Sequence, residues 1–179
     1  MSFAFSRRSF LKYTAVAAVA VAGASLFTGC KVDTSDSYNA LRTTPGELTV
    51  LQVTAAMGTY VEASKSYTAP DVTGMTIAFP FKITNGRANP IYVNPNNFKA
   101  TVLDAEGKVI LAKYTAINGL TLDAPLCDTN LKKGASVSGN VTLTLSAALE
   151  PGQSIVLTYC PDLQYNEYSL NWKTTRAKD

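Results

Sequence analysis

Over residues 75–84 the chain alternates without a break. Met75, Ile77, Phe79, Phe81 and Ile83 fall on one side; Thr76, Ala78, Pro80, Lys82 and Thr84 fall on the other. A period of two sustained this long fits a half-buried β-strand and excludes an amphipathic helix. Pro80 has no amide hydrogen, so the strand is expected to be an edge at that point or to carry a bulge. One apolar face needs a second layer to cover it, and that requirement shapes the rest of the fold.

Other runs keep the same period. Residues 48–54 are β-rich. Phe98, Ala100 and Val102 alternate with Lys99, Thr101 and Leu103. Val141, Leu143 and Leu145 alternate with Thr142 and Thr144, and Ile155, Leu157 and Tyr159 with Val156 and Thr158. Turn signals separate them: Asn85-Gly86, Asn94-Pro95-Asn96-Asn97, Asn118-Gly119 and Pro151-Gly152. Asp104-Ala105-Glu106-Gly107 predicts a hairpin closed by a type I turn with Gly107 at positive φ. Asp104 and Glu106 lack the further oxygens of a calcium loop. No long stretch after Cys30 has helical periodicity. The expected class is all-β: a sandwich of about seven to nine antiparallel strands.

The N-terminus reads differently. Arg7, Arg8 and Lys12 precede a short apolar run with no acid among them, which is the pattern of a signal peptide rather than a spanning helix. Ser6-Arg7-Arg8-Ser9-Phe10-Leu11-Lys12 resembles the twin-arginine export motif. Leu26-Phe27-Thr28-Gly29-Cys30 resembles a lipobox, although Phe27 departs from its usual leucine. That resemblance implies lipidation of Cys30. Ala22-Gly23-Ala24 is a rival cleavage site, and cleavage after Ala24 would release a soluble protein. The expected organisation is a signal peptide over 1–29, a lipidated cysteine and polar flexible tether over 30–46, a sandwich domain over 47–173 and a polar tail over 174–179.

The precursor's net charge of +3 belongs to its leader. Three of the 16 basic residues and none of the 13 acids lie before Cys30, leaving 13 of each beyond it. A balanced domain gives no electrostatic reason to expect nucleic acid as a partner. The roughly 150 residues that remain can bury a core of their own.

A family resemblance can be placed on two blocks. The first runs from Ile83-Thr84-Asn85 through Asn89-Pro90-Ile91 to Phe98, Asp104 and Gly107. The second runs from Leu131-Lys132-Lys133-Gly134 through Gly139-Asn140-Val141 and Pro151-Gly152 to Leu157-Thr158-Tyr159. Together they resemble the small immunoglobulin-like domains of bacterial surface lipoproteins that carry no assigned activity. Those domains are similar in fold to the secreted mycobacterial immunoprotective antigen. The resemblance implies an extracytoplasmic immunoglobulin-like sandwich and transfers no functional residue.

The chemistry available is narrow. There is no histidine, which removes Ser-His-Asp, Cys-His and most zinc hydrolase mechanisms. Cys127 and Cys160 form an even pair in an exported domain, which points to a disulfide, with two buried free thiols as the alternative. No metal or other cofactor is expected. A carboxylate-dependent glycan hydrolase would have Asp123, Asp128, Asp162 and Glu167 to draw on. Nothing in the sequence brings any two together, and the plain reading is solvated loop charge.

Tyr165, Tyr168 and Trp172 crowd the C-terminus and could form a recognition surface. Packing as a last strand over residues 168–172 is the competing account, and Tyr92 reads as core. The expectation is a non-catalytic envelope lipoprotein. Its partners would be the membrane through the lipid on Cys30, the twin-arginine export machinery, and an extracytoplasmic protein or glycan.

Overall fold

The computed structural model describes residues 39–110, 119–163 and 168–178. These fall within one compact unit, Thr34–Asp179. The described residues are all-β: thirteen strands, no α-helix, and a 3-10 turn at Pro95–Asn97.

In chain order the strands are β1 Ala40–Arg42, β2 Gly46–Val50, β3 Val53–Met57, β4 Thr59–Val61, β5 Ser66–Thr68, β6 Thr76–Asn85 and β7 Ile91–Val93. There follow β8 Phe98–Leu103, β9 Thr121–Leu122, β10 Thr129–Leu131, β11 Ser136–Thr144, β12 Ser154–Tyr159 and β13 Leu170–Thr175. A five-stranded sheet runs β2-β3-β6-β11-β9, and a four-stranded sheet runs β1-β13-β12-β8. The pairs β4-β5 and β7-β10 form two small ribbons. Seven strands have five residues or more, and six have only two or three. The short ones lift the number above the seven to nine expected, because they are too brief to show alternation.

β6 carries the core as its alternation requires. Ile77, Phe79, Phe81 and Ile83 are buried, while Thr76, Ala78 and Lys82 are exposed. Phe81 makes edge-to-face contacts with Phe98 of β8 and Trp172 of β13, with ring centroids 5.6 and 5.1 Å apart. These rings join the two larger sheets across a shared interior. The indole N–H of Trp172 donates to the Gly46 carbonyl at 2.9 Å, tying β13 to β2. Met75, placed by periodicity on the apolar face, lies before the strand begins and is exposed.

Pro80 sits where the β3–β6 ladder ends. The last paired residues are Met57 and Phe81, and the Gly58 N–H then reaches the Pro80 carbonyl at 2.9 Å. The missing proline N–H thus faces a position where the neighbouring strand departs, so the strand is an edge there, as expected.

β2 and β3 were not separable in the sequence. They meet through Leu51 and Gln52, which occupy φ of 51° and 61° between the paired residues Val50 and Val53. Two positive φ angles in a two-residue loop define a type I′ turn, usually formed by Asn-Gly. A left-handed conformation costs about 1–2 kcal/mol for an ordinary L-residue. Gln52→Gly is therefore expected to raise stability by about 1 kcal/mol, read as a higher midpoint in urea unfolding at unchanged slope.

The hairpin at Asp104–Gly107 forms as predicted. Gly107 has φ of 84°, and Leu103 bridges Val109. Asp104 Oδ1 accepts from the N–H groups of Glu106 and Lys108, so this carboxylate caps the turn.

Part of the polar tether is structured. β1 pairs in parallel with β13, Ala40 opposite Leu170 and Arg42 opposite Trp172, so the sheet is not wholly antiparallel. Polar side chains hold it there: Asn39 Oδ1 accepts from Ser169 Oγ at 2.8 Å, and Asn171 Nδ2 donates to the Ala40 carbonyl at 3.1 Å. At the other end β13 runs to Thr175, so Thr174 and Thr175 belong to the strand rather than the tail.

Candidate functional site

The outer face of the five-stranded sheet carries a groove of about 580 Å³. Its floor is β6 around Pro80 and Lys82 and β11 around Ser138 and Asn140, and the β4–β5 hairpin forms one wall. Ligand sites commonly have volumes of roughly 300–1,000 Å³.

Gly58 makes the wall possible. It has φ of 107°, and a Cβ there would sit 2.5 Å from the Thr68 carbonyl oxygen and 2.8 Å from Pro45 Cβ. Only glycine can turn the chain from β3 into β4 this close to its neighbours. The turn places Tyr60 opposite Tyr67 in the hairpin register, their ring centroids 5.2 Å apart at 61°. The Tyr67 hydroxyl donates to Glu47 Oε1 at 2.8 Å. This bond pins the second tyrosine and leaves Tyr60 half exposed on the groove.

The opposite side is fixed by Asp123. Its Oδ2 accepts from the Asn140 backbone N–H at 2.8 Å and from Asn140 Nδ2 at 3.1 Å. Its Oδ1 is buried without a hydrogen-bond partner among the described residues. That oxygen occupies the place a Cβ on residue 139 would take, which requires Gly139.

Burial, then the bond to Glu47, pushes the Tyr67 phenol up from 10.0 to about 12. A proton held more tightly in the folded state stabilises fully below the unfolded pKa and ceases to do so as pH rises through the folded one. Stability is therefore expected to fall between about pH 10 and pH 12. Tyr67→Phe should flatten that part of the profile, as measured by urea unfolding at a series of pH values.

Of the residues singled out in the sequence, Asp123 borders the groove through Asn140 and Gly139, and the others that the structure describes lie elsewhere. Trp172 is fully buried in the core, which corrects its reading as recognition surface: it lies mid-strand on the inner face of β13. Tyr168 is half-buried and packs against the same core. Tyr165 and Glu167 lie outside the described residues, as do Arg7, Arg8 and Cys30. Tyr92, expected in the core, is 53% exposed; period two in β7 buries its neighbours Ile91 and Val93 instead. Its hydroxyl donates to Asp128 at 3.0 Å.

Cys127 and Cys160 are both free thiols, so the expected disulfide is absent. They belong to different surroundings. Cys127 Sγ donates to Asp128 Oδ2 at 3.4 Å, and that bond pushes its pKa up. Cys160 is buried after β12, its backbone N–H and C=O held by Asn97, and burial pushes its thiol up. Raised pKa values keep both protonated and unreactive near neutral pH.

The carboxylates are dispersed in their roles. Asp123 holds Asn140, Asp128 takes Tyr92 and Cys127, and Asp162 pairs with Arg87 at 3.2 Å. Among the described residues Glu47 is the one carboxylate lining the groove. Among the described residues no cluster of histidine, cysteine, aspartate or glutamate could hold a metal.

The fold and groove define an all-β domain of several sheets with an aromatic-walled groove on the outer face of the largest. No protein-family model matches the chain, and no curated protein matches it. Solved structures with some similarity include the Bacillus subtilis protein ycdA, provisionally described as a lipoprotein. It has a TM-score of 0.43 and 13% identity over 74% of this chain, which spans only 39% of that one. The yjhA protein of Bacillus subtilis scores 0.44 at 10% identity, covering 74% of this chain and 98% of its own. A functionally unknown protein of Listeria monocytogenes scores 0.43 at 13% identity, covering 80% and 88%. At these scores the likeness is a loose one of shape.

Proposed function

We propose that the chain is a non-catalytic, lipid-anchored envelope protein whose immunoglobulin-like sandwich binds a component of the cell envelope. The observation that carries this reading is the groove between the β4–β5 hairpin and the sheet. It gathers exposed polar side chains around Tyr60 on a surface that core packing leaves free. The two packed sheets support the immunoglobulin-like class, and Arg7, Arg8 and Cys30 support export and anchoring. A hydrolase acting on glycan needs two carboxyl groups flanking the scissile bond. Glu47 alone among the lining residues favours binding over cleavage.

Three experiments test the reading. Arg7→Lys with Arg8→Lys should leave the precursor in the cytoplasm, and Cys30→Ser should abolish lipid labelling and release the protein from the membrane. Normal export of the double variant removes the twin-arginine assignment. A wild type that takes up no lipid label makes cleavage after Ala24 the better account. For binding, the purified mature protein should be retained on washed envelope fragments, and no retention at all would sink the module.

A further inference from the structure

The array of groups in the groove indicates what kind of molecule it takes. Glu47 engages Tyr67 through Oε1 only, so Oε2 remains an open acceptor. Asn140 is held through its Nδ2 by Asp123, which leaves its Oδ1 open. The side chains of Lys82 and Ser138 are exposed on the same floor and have no hydrogen-bond or ion-pair partner among the described residues. Donors and acceptors are therefore interleaved within one groove beside a fixed, half-exposed tyrosine ring.

An extended peptide would need a run of open backbone groups to add as a strand. Most of the groove floor's backbone is already engaged, and no such run is left. The Pro80 carbonyl is taken by Gly58, Phe81 pairs with Gly139, and Lys82 pairs with Ala56. The backbone N–H and C=O of Asn140 are both taken by Asp123. A phosphate-rich polymer needs clustered cations, whereas here one lysine shares the groove with a carboxylate. A lipid chain needs a continuous apolar slot, and on this floor Pro80 and Phe81 are interrupted by Lys82, Ser138 and Asn140. Sugar hydroxyls both donate and accept, which matches the interleaved array, and the C–H face of a pyranose ring can lie against an aromatic ring.

We propose that the groove binds a neutral or amino-sugar glycan segment of the envelope. Tyr60 is the platform for one sugar ring, and Glu47, Lys82, Ser138 and Asn140 read its hydroxyl and amide groups. This rests on the binding-module reading and names its ligand class. Gly58 and Gly139 act through position: one sets the tyrosine wall, and the other admits the carboxylate that orients Asn140.

The test uses the protein expressed as the full chain and purified in its mature form. It is mixed with washed envelope fragments left intact, digested with protease, or treated with periodate to cleave vicinal diols. Retention should survive protease, fall with periodate, and be competed by oligosaccharides released from the fragments. Tyr60→Ala should weaken retention at least tenfold, while Tyr92→Ala, which alters an exposed tyrosine away from the groove, should leave it unchanged. Circular dichroism of each variant confirms folding. Glu47→Gln keeps an acceptor for Tyr67 and so isolates the effect of the charge. Retention lost to protease and spared by periodate overturns the glycan assignment and leaves the binding module standing. Retention indifferent to Tyr60→Ala overturns the groove. No retention on any preparation overturns both.

Discussion

Phe79→Ala is expected to destabilise the domain by about 3–5 kcal/mol, through lost burial and the cavity left behind. Phe79 is fully buried mid-strand in β6, opposite Val141 of β11, which is fully buried as well. β11 pairs with β6 on both sides of this position and the buried core covers this face, so the surroundings restrict collapse into the space. The loss is a large share of the ~5–15 kcal/mol by which a domain of this size is stable. Pro80→Ala is the matched control. Its side chain points to the outer face, and its carbonyl bond to Gly58 does not depend on the ring. It should change stability far less. Urea unfolding of the two variants beside the wild type decides the matter, and equal midpoints for both would mean the faces of β6 are assigned the wrong way round.

What the sequence disclosed follows from where burial has a period. β6, β8 and β12 each have one buried face, so alternation located them to within a residue or so, while in β11 it marked only the second half, from Val141 on. The loop at Asp104–Gly107 used ordinary turn chemistry and was legible for that reason. Leu51 and Gln52 form a tight turn with residues that usually avoid it, so nothing marked the break between β2 and β3. β1 is held by the side chains of Asn39 and Asn171, and polar residues of that kind read as linker. The cysteines could be counted but not placed. The even number suggested a bridge, and only tertiary structure puts Cys127 beside Asp128 and Cys160 behind Asn97.

The groove was missed because its parts come from Glu47, the 59–68 hairpin, β6 and β11. A signal did exist. Thr59-Tyr60-Val61 and Ser66-Tyr67-Thr68 mirror each other around Glu62-Ala63-Ser64-Lys65, the symmetry of a short antiparallel ribbon. Strands of three residues are too brief for periodicity to reveal. The C-terminal aromatics left two accounts open, a recognition surface or a packed last strand, and for Trp172 the strand is the one found. Their clustering in sequence suggested a surface, but alternate residues of β13 face opposite ways, and Trp172 takes the inward side.

That inward side carries the second large effect. Trp172→Ala should destabilise by about 3–5 kcal/mol. Trp172 is fully buried, packs edge-to-face on Phe81, and donates to the Gly46 carbonyl. The substitution would open a cavity between the sheets and leave that buried carbonyl without its donor. Trp172→Phe keeps an aromatic ring and loses the N–H, so it should fall between the two, at about 1–3 kcal/mol. The chain has one tryptophan, so its fluorescence reports this site alone. Emission in the folded protein should be blue-shifted and poorly quenched by iodide, moving red in a single transition in urea. A core role and a recognition role then separate cleanly. Retention of folded Trp172→Phe on envelope fragments should match the wild type, while Tyr60→Ala loses retention at nearly unchanged stability. Red, readily quenched emission from the native protein, or retention lost in Trp172→Phe at wild-type stability, would return Trp172 to the surface and move the binding site away from the β4–β5 groove.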